Sequence, residues 1–300
     1  MDTEQISAKA EFYLMLSRAF LPPTAPDSHD AFVNILPAEL REISAAAGYD
    51  GFAHRDATVL QKIDAYAALA AGVADRTTLL QIYSGFFLMP PREVQLYVSA
   101  YLDGNILGKS CDALQIFYRK HRLAHSDDFH DLPDHLSAVL EFLALLYARA
   151  AETDGYARAE LLNDAGDLNR FFLLSWLPVM RRQLAHRQQE ANEHLGADVM
   201  PAIYPQLADI LEAALVADAG ELSPELRRVL SPEARMETSK EDAKEMAKCV
   251  DCGADIAPAA RVRRVRKVLE KEGIDTRHLD RCPQCRGSDM FPSGVNFPRV

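Results

Sequence analysis

Pro133-Asp134-His135-Leu136-Ser137-Ala138-Val139-Leu140-Glu141-Phe142-Leu143-Ala144-Leu145-Leu146-Tyr147-Ala148 is the stretch on which the fold of this chain turns. Leu136, Leu140, Phe142, Leu143 and Leu146 fall on nearly every side of a helix predicted over 134–152, and a helix that is apolar all round must be enclosed by others. Pro133 and Asp134 suit its first turn, where a fixed φ and a negative charge are both favourable. Working outward, residues 5–20 place Ile6, Phe12, Tyr13, Leu16 and Phe20 close to one face before Pro22 and Pro23 end the helix. A helix over 36–47 has Pro37 in its first turn and Gly48 at the left-handed position after its end. The alanine-rich segment 57–73 favours a closely packed helix. The next helix is expected to be capped by Thr77, to carry Leu79, Tyr83, Phe86 and Phe87, and to end at Pro90 and Pro91. Further helices are predicted over 110–124, 156–163, 167–188 and 203–217. No convincing run of alternating β-branched residues appears.

The expected architecture is therefore all-α: a compact multi-helix domain over 1–216, a linker over 217–245, and a small metal domain over 246–300. The linker is charged, poor in large apolar groups, and carries Ser223-Pro224 and Ser231-Pro232. With 300 residues, 48% of them hydrophobic, the chain can bury a sizeable core. Its formal charge of -11 argues against a nucleic-acid partner for the molecule as a whole. Residues 246–300 are the exception, holding 11 Lys and Arg against 7 Asp and Glu. The start, Met1-Asp2-Thr3-Glu4-Gln5, lacks the basic opening and apolar run of a secretory signal. No stretch approaches the ~18 apolar residues of a membrane span. A cytoplasmic location is the expectation.

The strongest local signal is Cys249-Val250-Asp251-Cys252-Gly253 paired with Cys282-Pro283-Gln284-Cys285-Arg286-Gly287. Two CxxC knuckles in a reducing compartment supply four thiolates to one tetrahedral ion, with Zn2+ the first choice and an iron–sulfur cluster the alternative. Either pair alone also has the spacing of a redox dithiol. A closed set of four ligands favours a structural role, as in a zinc ribbon. Cys111, alone in a helical segment, reads as a small buried hydrophobe. Between the knuckles, Arg261, Arg263, Arg264, Arg266, Lys267 and Lys271 crowd one segment. That basic stretch suits phosphates, an acidic protein surface, or plain solvation. Solvation is preferred, because no aromatic platform accompanies the charges.

There is no phosphate loop, glycine-rich dinucleotide turn, HExxH or GxSxG, so an enzyme is the weakest reading. Instead, unusual sequences sit at helix boundaries: Tyr83-Ser84-Gly85-Phe86-Phe87-Leu88-Met89-Pro90-Pro91, then Ser99-Ala100-Tyr101-Leu102-Asp103-Gly104, then Asp131-Leu132-Pro133-Asp134-His135-Leu136. Together these resemble the TorD/DmsD/NarJ family of molybdoenzyme maturation chaperones over about residues 5–215. The resemblance implies an all-α chaperone that binds the catalytic subunit of a molybdenum-containing redox enzyme, or its twin-arginine leader, until the cofactor is inserted and export follows. By motif it places Asp134, His135, Ser99, Tyr101, Phe87 and Pro90 at the client-binding site. The chain departs from the pattern at Val139, at Ser175-Trp176-Leu177-Pro178-Val179, and in having the cysteine tail. The competing functions are a zinc-ribbon nucleic-acid or transcription-linked adaptor and an iron–sulfur or redox sensor. The long connections leave room for helix exchange in a homodimer.

Overall fold

The computed structural model describes residues 1–90, 92–123, 132–195, 200–221, 246–259, 262–263, 266–267, 276–282 and 285. The chain divides into two compact units, Met1–Glu221 and Leu222–Val300. Pro91, Asp131, both Ser-Pro pairs and most of the basic 261–271 segment lie outside the described residues.

The first unit is all-α. Its helices are α1 (Thr3–Ala19), α2 (Ser28–Asp30), α3 (Leu36–Ala46), α4 (Val59–Ala70), α5 (Arg76–Phe87), α6 (Val98–Leu102), α7 (Lys109–Lys120), α8 (Leu136–Ala151), α9 (Gly155–Phe172), α10 (Leu177–Leu195) and α11 (Ile203–Asp218). Helix α8 is the predicted spine: it packs along α1 and against α9, and Leu136, Val139, Leu140, Leu143 and Leu146 are completely buried. Helix α11 is a second element buried on almost every side, packed against α4 and α10. Gly48 has φ +79, a left-handed turn conformation that favours glycine.

Several local expectations are corrected. Helices predicted over 156–163 and 167–188 are instead α9, continuous over Gly155–Phe172, and α10, which starts later and runs over Leu177–Leu195. Asp164, Ala165, Leu168 and Asn169 form one buried stripe across Gly166, whose burial offsets the ~1 kcal/mol that a helical glycine costs. The interruption falls at Leu173–Trp176, where the buried Trp176 turns the chain and Pro178 opens α10. Asp75, not Thr77, caps α5, its Oδ1 accepting from Thr78 N (2.8 Å) and Thr78 Oγ1 (2.9 Å). A short antiparallel hairpin, β1 (Ala53–His54) and β2 (Ala57–Thr58), precedes α4. Helix α4 then starts at a Thr58/Gln61 capping box. Arg55 in the hairpin turn has φ 61, a strained value for a side-chain-bearing residue, and its guanidinium lies 2.6 Å from the buried Glu212. Ahead of α3 the helix widens to a π turn over Ala31–Ile35, with Leu36 N bonding Ala31 O. Pro37 follows and lacks the amide a regular α turn would use. Helix α11 continues to Asp218, one residue past the helix predicted over 203–217.

Asp218 is the reason it continues. Its carboxylate accepts from Lys9 Nζ and from the hydroxyls of Tyr13 (2.7 Å), Tyr49 (2.8 Å) and Tyr147 (2.9 Å). Burial, and then the charge of Asp218, pushes all three tyrosines well above their ordinary pKa. Burial does the same to Tyr66 and Tyr204. These groups are neutral in the native state and ionise more readily when unfolded, so their contribution is complete below about pH 10 and is lost as pH rises above it. The urea midpoint should fall steeply between about pH 9 and pH 11, with tyrosinate absorbance from the buried rings appearing together with unfolding. Full tyrosinate absorbance from a still-folded chain would contradict this account.

The second unit contains a two-stranded antiparallel hairpin, β3 (Met246–Lys248) and β4 (Asp255–Pro258), and a 3-10 turn over Arg277–Asp280. Among its described residues only Cys249, Ala259 and Cys282 are buried, far too little apolar surface to hold a fold by burial alone. Across both units, no helix among the described residues is long and apolar enough to cross a membrane.

Candidate functional site

The Pro-Asp-His-Leu segment is a crossing point. The chain after α5 runs antiparallel to it: Val98 N donates to Asp134 O (3.0 Å), Leu136 N donates to Leu96 O (2.7 Å), and Tyr97 and His135 form a bridge. Asp134 is fully buried, and its Oδ2 accepts from Ser99 N at 2.9 Å. It thus caps α6 from outside that helix, satisfying an amide that has no intrahelical partner. Ser99, also fully buried, passes the connection on: its Oγ accepts from Leu107 N (3.2 Å), in a turn where Leu107 has φ 64. His135 caps α8, its Nδ1 accepting from Ser137 N at 3.2 Å, an acceptor role that places the ring proton on Nε2. The ring meets Tyr97 edge to face at 5.4 Å. Pro133 O accepts from the buried Tyr118 hydroxyl (2.7 Å). Cys111 is buried, and burial followed by the charge of Asp134 pushes its thiol pKa up, so it is a poor nucleophile.

The structure brings Asp134, His135 and Ser99 together, with Tyr101 two residues further along α6. The Tyr101 ring stacks on Trp176 at 4.8 Å, and its hydroxyl accepts from Gln95 N (3.1 Å) and donates to Gln183 Oε1 (2.9 Å). Phe87 belongs to another cluster: it is buried edge to face on Tyr204 at 4.9 Å, as are Phe86 (5.8 Å) and Tyr83 (5.7 Å). Gly85 lets Met200 approach there, since a Cβ would lie 2.8 Å from its sulfur. Pro90 is exposed, beside exposed Leu88 and Met89.

A groove that sequence reasoning missed lies between α1, α7 and α8, with a volume of about 760 Å³. Ala10 and Leu14 of α1 and Ala138, Leu145 and Ala148 of α8 supply an apolar floor, with Glu11 and Glu141 among the lining groups. The available signal was a set of small residues, Ser7 and Ala10 on α1 and Ala138, Ala144 and Ala148 on α8, which leave space where larger side chains would interlock.

In the second unit the four cysteines converge, all four sulfurs lying within 4.8 Å of one another and Cys252 Sγ 3.6 Å from Cys282 Sγ. Each knuckle is formed by its backbone. Cys249 N donates to Ala254 O (2.8 Å), Gly253 N donates to Cys249 O (2.9 Å) with Gly253 at φ 72, and Cys285 N donates to Cys282 O (3.0 Å). Val250 N donates to Asp280 O (2.9 Å), tying the knuckles together. The spacing is too long for disulfides, whose sulfurs sit ~2.05 Å apart, and matches thiolates arranged about a shared ion with ~2.3 Å bonds. The backbone amide of Cys282, against burial, and those of Cys252 and Asp251 hold Cys249 down to about 6, whereas hydrogen bonds from Cys282 and Cys252 push Cys285 up. The cluster can hold a metal ion. Nearby basic groups are already engaged: Arg266 pairs with Asp280, and Arg281 with Asp251 at 3.0 Å.

A family model described as nitrate reductase delta subunit matches residues 50–182. The matched stretch runs from just before the β1–β2 hairpin into α10 and includes Phe87, Pro90, Ser99, Tyr101, Asp134 and His135, but not the cysteines of the second unit. No curated protein matches the chain.

Proposed function

We propose that this chain is a non-catalytic maturation chaperone that holds the catalytic subunit of a molybdenum-containing redox enzyme, and its twin-arginine leader, while the cofactor is inserted. The observation that carries this reading is the match of residues 50–182 to the nitrate reductase delta subunit family, whose members are molybdoenzyme maturation chaperones. The α1–α7–α8 groove supports it physically: an apolar trough lined at its edges by Glu11, Glu141 and Arg119 suits a client segment with an apolar face, the two carboxylates being the groups that basic client residues would meet. The work would take place in the cytoplasm, where an apo subunit awaits its cofactor before export.

Within this reading Asp134, His135, Ser99 and Phe87 act from below the surface, setting the positions of α6, α8 and the chain between α5 and α6. Tyr101 and Pro90 lie closer to the client. Asp134→Ala with His135→Ala removes two helix caps and should cost about 2 kcal/mol or more of stability, together with client affinity. Urea denaturation and client pull-down below the unfolding midpoint separate the two effects. Full affinity with only stability lost would remove these residues from the client site.

For the second unit we propose a structural Zn2+ on Cys249, Cys252, Cys282 and Cys285. A single ion suits four sulfurs in mutual contact, whereas an iron–sulfur cluster interposes sulfides and spreads its thiolates apart. When bound, the ion supplies the cross-link that this unit's small buried area cannot. A colourless purified protein supports zinc; visible absorbance from the tail supports iron.

The deciding experiment is gentle purification of the tagged full chain from its native host, with mass spectrometry of what it carries. A molybdoenzyme catalytic subunit lacking its cofactor is the expected companion. Nucleic acid or transcription proteins, with no redox enzyme, would overturn the chaperone reading.

A further inference from the structure

We propose that Glu93, His186 and Glu190 form a second metal site, for a divalent transition-metal ion, separate from the four cysteines and fastening the connection after α5 onto α10. His186 and Glu190 lie four residues apart on α10 and therefore on one face of it. Glu93 arrives from the chain between α5 and α6. His186 Nδ1 is 3.8 Å from Glu93 Oε2 and 3.9 Å from Glu190 Oε2, and the three ligand atoms all lie within 4.8 Å of one another.

These separations are too long for hydrogen bonds, so the three groups do not satisfy one another directly. A tetrahedral ion with bonds of ~2.0–2.2 Å sets its ligand atoms roughly 3.3–3.6 Å apart, so small side-chain rotations bring these three into ligating range. Two carboxylates crowd one imidazole nitrogen, an arrangement that a doubly charged ion would favour more than a single proton on the ring. Arg187 competes for Glu190 alone, at 3.6 Å.

The scaffold is already in place. Val94 and Leu96 are buried and fix the backbone next to Glu93. Arg187 Nε donates to Gly85 O (3.3 Å), and the Tyr101 hydroxyl joins Gln95 to Gln183, one turn before His186. Little ordering is left for the ion to impose. One imidazole nitrogen and two carboxylate oxygens suit Zn2+, Co2+ or Ni2+, and three ligands leave at least one coordination position for water or a partner's side chain.

The test is titration of the metal-stripped full chain with zinc chloride alone, counting equivalents by calorimetry and elemental analysis. Two equivalents are expected for the wild type. Glu93→Gln or His186→Ala should each remove one and leave the cysteine-bound ion. Cys252→Ser with Cys285→Ser should remove the other and leave this one. Because Glu93 and His186 are exposed, these variants should keep the wild-type circular dichroism. Hydrogen exchange supplies an independent readout: zinc should slow the amides of 92–97 in the wild type and in the cysteine variant, but not in His186→Ala. A single equivalent in the wild type overturns the proposal, as does a second equivalent that survives both Glu93→Gln and His186→Ala.

Discussion

Stripping the metal from the full chain, or replacing Cys282 with serine, is expected to unfold the region Met246–Cys285 while Met1–Glu221 keeps its cooperative transition. The argument rests on how little else holds the second unit. Strands β3 and β4 are three and four residues long, and a two-stranded hairpin of that size is not independently stable in water. Its described buried residues are two cysteines and an alanine. Ion binding by four thiolates contributes on the order of 10 kcal/mol to such a fold, so loss of the ion outweighs every other interaction in the unit. Limited proteolysis with and without chelator should give a stable fragment close to Met1–Glu221 and rapid cleavage beyond it. A tail that stays protected without metal, or with Cys282→Ser, would mean that its fold rests on something else.

The sequence was most legible where one interaction type dominates. The CxxC spacing predicted the convergence of four sulfurs, and the all-round apolar pattern of Leu136–Leu146 identified α8 as the central helix. What escaped depends on contacts between residues far apart in the chain. Asp134 reads from sequence as a first-turn carboxylate of the spine helix, yet it lies ahead of the capping His135 and instead caps α6, 35 residues upstream, through Ser99 N. Phe87 and its aromatic neighbours form a helix-ending motif that is suggestive in one dimension, and in the fold they surround Tyr204. The break expected between 163 and 167 is absent because the buried stripe of Asp164, Ala165, Leu168 and Asn169 carries α9 through that stretch. The groove is also hard to read from sequence, because it exists where small side chains, Ala10 of α1 and Ala138, Ala144 and Ala148 of α8, leave the space between helices unfilled. Glu93 and His186 are 93 residues apart and are brought together by the packing of α10 near α5.

The least legible feature is also the one whose removal should cost the first unit most. Asp218 ends α11, where a helix ordinarily frays, and nothing in the charged sequence around it distinguishes it from its neighbours. In the fold its carboxylate is almost fully enclosed, ion-paired with an equally enclosed Lys9 and hydrogen-bonded by Tyr13, Tyr49 and Tyr147. Lys9 also lies over the Tyr49 ring at 4.8 Å, and Tyr13 stacks on Tyr147 at 5.8 Å. One residue therefore joins α1, the turn after α3, and α8 to the last turn of α11, four positions before the second unit begins. Asp218→Asn keeps the shape and one acceptor oxygen but strands the Lys9 charge in the interior, and breaking a buried pair in this way costs about 3–5 kcal/mol. Because the loss comes mainly from the stranded charge, Lys9→Met should rescue part of it, and the double variant should be less destabilised than the sum of the two singles. Urea denaturation of the four proteins closes that cycle. A loss below about 1 kcal/mol for Asp218→Asn, or strict additivity with Lys9→Met, would show that the carboxylate and the ammonium do not depend on each other as the geometry requires.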